Sequence, residues 1–169
     1  MKKEMFSTEI SILRDTFRRL LRRHAKTNII KLIDKTHPAD MALIFRYFND
    51  SEQDTVFAMM KPSEKTVEFL NELDEAITIR IVENETPSRI AEILEEASSN
   101  EQAYLMGLVE ETYAASVIDL FKAEEQEELE EMMAYPEDSA GILMYTDVFT
   151  LHEETRAREA IAALQDQEE

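Results

Sequence analysis

At 169 residues the chain is long enough for one domain of ordinary size and part of a second. It has no cysteine, which excludes disulfide staples and thiolate metal sites, and only 2 Gly and 4 Pro, which favour helices joined by short polar links over a fold of many tight turns. The formal charge of −19 is unevenly placed: residues 1–35 carry ten Lys/Arg against four acidic residues, a net of +6, so the remainder sums to −25. A body that acidic repels nucleic-acid phosphates and attracts cations, so no nucleic-acid partner is expected.

Residues 1–35 read as a basic helical leader. Arg18, Arg19, Arg22, Arg23 and Lys26 lie at helical spacing opposite Ile12, Leu13, Phe17, Leu20 and Leu21. Such a helix can dock on the acidic remainder of its own chain or lie on an anionic membrane face. Glu4, Glu9 and Arg14 interrupt any signal-peptide core, and no stretch of about 18 apolar residues could span a bilayer.

From Thr36 onward the chain shows a period. Pro38, Pro62 and Pro87 stand 24 and 25 residues apart, each after a polar residue or lysine, and Pro suits the first turn of a helix. The apolar motif Ala42-x-Ile44-Phe45 returns as Val67-x-Phe69-Leu70 and Ala91-x-Ile93-Leu94, with Phe57-x-Met59-Met60, Ile79-x-Ile81-Val82 and Ala103-x-Leu105-Met106 between them. A helix therefore starts about every dozen residues. Each is too short to stand alone, and stacked hairpins would bury a continuous core, as in a short α-solenoid. One or two more helices are expected over residues 114–134.

The pattern changes at Tyr135. Tyr135-Pro136-Glu137-Asp138-Ser139-Ala140-Gly141 is turn-rich, 147–151 alternates like a short strand, and 155–164 reads as a helix. One strand and one helix do not make a domain, so 135–169 is expected to be the β-α start of a larger unit.

No catalytic constellation is present. His24, His37 and His152 show no metal-ligand spacing, no Gly-rich phosphate loop exists, and His37 before Pro38 suits a helix cap. The nine methionines sit mostly at core spacing. Two carboxylate groups, Glu92/Glu95/Glu96 followed by Glu101, and Glu124/Glu125/Glu127/Glu128, offer oxygen to a hard cation such as Mg²⁺, although such runs are usually solvated faces.

Two motifs carry a family resemblance. Thr36-His37-Pro38-Ala39-Asp40 resembles the opening of the intracellular N-terminal domain of MgtE-type magnesium transporters, and Tyr135 to Met144 resembles that family's junction into its first CBS domain. The resemblance covers about residues 28–165. It implies an all-α right-handed superhelix over 36–134, followed by a junction and an incomplete CBS domain over 135–169. It further implies a non-enzymatic, Mg²⁺-responsive regulatory role on the cytoplasmic side of a cell membrane. The implied partners are the CBS domains and the transmembrane domain of the same polypeptide, in a homodimer. By the same alignment the metal oxygens fall on Glu68, Asn100 and Glu101, with Tyr104 where the family has a third acid. Tyr135, Pro136, Glu137, Asp138 and Gly141 are implied to be structural. A second reading, an interaction solenoid resembling the flagellar motor switch protein FliG, expects helical repeats to continue after residue 135.

Overall fold

A computed structural model describes residues 2–136, 139–144 and 150–166, and for residues 2–9, 142, 143 and 166 the backbone alone. Among the described residues there are eleven α-helices, one 3-10 turn and no strand. In chain order they are α1 (Lys2–Arg22), α2 (Lys26–Lys35), α3 (Pro38–Phe45), α4 (Asp50–Phe57), α5 (Glu64–Asn71), α6 (Glu75–Asn84), α7 (Pro87–Leu94), α8 (Ser99–Leu108), α9 (Glu111–Ile118), α10 (Ala123–Met133), the 3-10 turn Ala140–Leu143, and α11 (Ala157–Asp166). The expected strand at 147–151 lies mostly outside the described residues, and its last two positions, Thr150 and Leu151, are not in a strand.

The helices pack in a line, α1 on α2 and α3, α3 on α5, α5 on α7 and α8, α7 on α9, and α8 on α9 and α10. One apolar core runs through them from Phe17 to Met132. Its centre is aromatic: Phe69 stands edge-on to Phe45 at 5.0 Å and stacks near Phe57 at 6.5 Å, and Phe48 bridges Phe45 to Phe17 at 6.0 Å each. Helices of eight to ten residues are too short to be stable in water, so this shared core is what holds them helical.

The helix boundaries have local causes. Pro38 and Pro87 are the first residues of α3 and α7, capped by the His37 ring nitrogen and the Thr86 hydroxyl. Pro62 departs from the expected place: it precedes the N-cap Ser63 and lies in the turn before α5. α1 ends because His24 takes the left-handed conformation, φ 50°, and the amides of His24 and Ala25 then bond back to Leu21 and Leu20.

Two series of polar side chains repeat with the solenoid. Gln53, Thr78, Gln102 and Gln126 each occupy the fourth position of an even-numbered helix. Each donates to a carbonyl eight residues back, at the end of the preceding helix: Phe45, Leu70, Leu94 and Ile118. Those carbonyls lie at the last turn of their helices and each also accepts the amide three residues on, so the side chain adds a second hydrogen bond that closes the hairpin. The second series joins neighbouring hairpins. Lys65, Arg89 and Tyr113, spaced 24 apart, donate to carbonyls at the ends of α2, α4 and α6: Asp34, then Phe57 and Met60, then Val82 and Glu85.

The junction is held. The 3-10 turn packs on α8 and α10, and Gly141 lies under the Tyr135 ring so closely that a Cβ there would fall 2.4–2.8 Å from ring atoms. Of the other residues read as structural, Pro136 is exposed, and Glu137 and Asp138 lie outside the described residues. α11 is different. Its Ile161 and Leu164 are 58% and 50% exposed, and it forms no layer with another described helix.

Candidate functional site

Two of the expected oxygen ligands, Asn100 and Glu101, lie at the start of α8, where α5 and α10 flank it, and the third, Glu68, is on α5. Glu68 is exposed on α5. One turn further along the same helix face, Asn71 donates its amide to one carboxylate oxygen of Glu101 at 2.9 Å. The other oxygen of Glu101 accepts from the Ser98 amide at 3.0 Å and the Ser98 hydroxyl at 2.6 Å. Asn100 stands beside it, its side-chain oxygen 2.7 Å from the same hydroxyl. On the other flank Ser99 donates to Glu128 of α10 at 2.9 Å. Tyr104, a turn into α8, is 43% exposed.

The structure thus brings Asn100 and Glu101 together and leaves Glu68 open to solvent on the adjoining helix. It also shows what Glu101 does locally. As the third residue of α8 it reaches back to the N-cap amide, a capping box, and Glu52 and Glu125 do the same at the starts of α4 and α10. A carboxylate near a helix N-terminus is further favoured by the helix dipole. Asn71, Ser98 and Ser99 were not singled out from sequence, whereas Glu128 belongs to the carboxylate group of residues 124–128 read there. The Ser98-x-x-Glu101 spacing is a readable capping signal, whereas the Asn71–Glu101 and Ser99–Glu128 pairs span about thirty residues and follow only from the packing of α8 against its neighbours.

Further carboxylates are exposed on other helices. Glu92, Glu95 and Glu96 are exposed on and after α7, and Glu124, Glu127, Glu130 and Glu131 are exposed on α10. Glu125 titrates below the ordinary carboxylate range because the Lys122 amide and then its side chain favour the charged form. Glu110, which caps α9, is likewise lowered, first by the Thr112 hydroxyl. Among the described residues no three His, Asp or Glu side chains converge to hold a metal ion. Nearby, an open cleft of about 500 Å³ between α8, α9 and α10 has Met106, Val109 and Ala114 at its floor and Glu111, Asp119 and Glu130 at its rim. The arrangement suits docking of another surface: an apolar floor, an acidic border, and carboxylates whose remaining lone pairs face water.

No described helix is long and apolar enough to cross a membrane. In comparisons with known proteins, the family described as the MgtE intracellular N domain matches residues 36–138. The fold is similar to that of a crystal structure of the soluble part of a magnesium transporter, with a TM-score of 0.71 at 17% identity, over 94% of this chain and 62% of that one. The chain therefore spans less than two thirds of that protein, and at this identity the likeness is one of fold. No curated protein matches.

Proposed function

The chain belongs to the MgtE intracellular N domain family, and from that premise we propose that it is a non-catalytic, Mg²⁺-responsive regulatory domain of a magnesium transporter. On this reading it lies on the cytoplasmic side of the membrane. Its acidic face docks against CBS domains of the same polypeptide, within a homodimer, when Mg²⁺ is abundant. When Mg²⁺ falls, the facing carboxylates repel, the domains part and the pore is released.

The observation that carries the reading is the family match, which spans every helix from α3 to α10. The electrostatics support it. A body whose residues 36–169 sum to −25 is repelled by a second acidic surface, and a divalent ion between them offsets more repulsion than the diffuse screening of monovalent salt. Mg²⁺ keeps most of its waters and uses one or two carboxylates, so a site shared between two surfaces needs little from each. From this chain it would draw on Glu68, whose carboxylate is exposed, and on the remaining lone pairs of Asn100 and Glu101. Binding by the isolated chain is accordingly weak.

Thermal melting tests this. In metal-free, low-salt buffer the acidic body should melt lowest, and MgCl₂ should raise Tm more than NaCl of equal ionic strength. Glu68→Gln should remove part of that excess. Glu101→Gln should do the same while keeping the helix cap, because glutamine also serves as the third residue of a capping box. Equal stabilisation by both salts, unchanged by either substitution, would show that this chain has no Mg²⁺ site.

A further inference from the structure

We propose that the basic end of the solenoid, formed by the close of α1 and the start of α2, is a contact face for an anionic lipid surface. The proposal rests on the transporter reading only in placing a bilayer near the domain.

The basic residues divide into two groups. Arg14 and Arg18 are engaged by the body: Arg14 pairs with Asp15 at 3.0 Å and lies over the Tyr47 ring, and Arg18 donates to the Tyr47 carbonyl. Phe17 and Leu21, on the same side of the helix, are buried in the core. So α1 is docked on its own chain by one face. Arg19, Arg22, Arg23 and Lys26 are all exposed and make no ion pair with any described residue. Four cations left together at one edge, in a chain with a large acidic excess, are not explained by pairing within the fold.

The same stripe carries an apolar group. Ile12, Arg19 and Arg23 follow one line along α1, and Ile12 is 62% exposed. Cations that take headgroup phosphates beside a side chain that can enter the interface form the pattern of a helix lying on a membrane. The acidic excess does not forbid the contact. From α1 the packing runs through α3, α5 and α8 to α10, four interhelical steps of about 8–10 Å each. The glutamates of α10 lie beyond these intervening helices, and exposed charges separated by more than a Debye length, about 8 Å at physiological salt, are largely screened. An anionic bilayer would attract the basic end, repel the body and orient the solenoid end-on.

Vesicle co-sedimentation of the whole chain, in EDTA and moderate salt, tests the proposal without any Mg²⁺ dependence. Failure here would leave the melting comparison untouched. Binding is expected to vesicles containing phosphatidylglycerol and not to pure phosphatidylcholine, and to weaken as NaCl rises. Each cation at such a surface raises partitioning roughly fivefold. The combined change Arg19→Gln, Arg22→Gln, Arg23→Gln and Lys26→Gln should therefore weaken binding by about tenfold or more. Replacing the three arginines by lysine should preserve it. Absence of a phosphatidylglycerol preference, or full binding by the glutamine variant, would overturn the proposal. So would parent self-association in sedimentation velocity, abolished in the glutamine variant and unaccompanied by vesicle binding, because it would assign the face to a second copy of the chain.

Discussion

The helices of the repeat body, α3 to α10, and the later helix α11 are held very differently. In the body the short helices share one apolar core, and the ends of α3, α4, α5, α6, α7 and α9 have carbonyls that accept side-chain donors from neighbouring helices. Beyond the junction α11 has an amphipathic face of the same kind, with Ile161 and Leu164 in the open. Helical propensity is thus no measure of how firmly a segment belongs to the fold. What distinguishes the two regions is whether buried acceptors and apolar faces find partners.

That contrast can be broken most forcefully at its centre. Phe69→Ala removes the ring that joins Phe45 to Phe57 and should cost about 3–5 kcal/mol in urea unfolding. A loss of less than half that would mean that the hairpins stand with little help from a shared core. A smaller effect is expected at the ties between hairpins. Tyr113→Phe keeps the ring and removes the hydroxyl that serves the Val82 and Glu85 carbonyls, for a loss of about 1 kcal/mol. The Tyr113 phenol is pushed up to about 12, first by burial and then by the Glu85 and Glu83 charges. Its unfolded value is near 10, so the folded state holds the proton more tightly. Its contribution is full below pH 10 and is lost as pH rises from 10 to 12. Stability measured across that window should fall more steeply in the parent than in Tyr113→Phe. The smallest effect belongs to the tail. Ile161→Ser with Leu164→Ser should change the unfolding midpoint of the body by no more than about 0.5 kcal/mol, because neither side chain is buried. A larger loss would place α11 within the cooperative unit.

Much of the body could be read from sequence because hydropathy and proline record it directly. The proline period and the recurring apolar triplets located the hairpins, and Pro38, His37 and Pro87 occupy the starts of their helices as expected. Pro62 sits outside its helix because Ser63 takes the N-cap instead. The two polar series leave no such record. A glutamine or threonine that donates to a carbonyl eight residues back leaves no mark in a hydropathy pattern, and Lys65, Arg89 and Tyr113 perform one task with three chemistries. Of the candidate site, the proximity of Asn100 and Glu101 was legible because they are adjacent in sequence. The seam with Asn71 and Glu128 was not, because it depends on how α8 lies between α5 and α10.

The hydrogen bonds made by Gln53, Thr78, Gln102 and Gln126 have a consequence for how the chain reaches its fold. Each closes a loop of eight residues, and the ties between hairpins span about thirty, so little chain must be searched before a contact is rewarded. A hairpin can close as soon as its second helix leaves the ribosome, and the next then assembles on a finished edge. Folding of this body should therefore proceed from the N-terminus during synthesis, without waiting for residues not yet made.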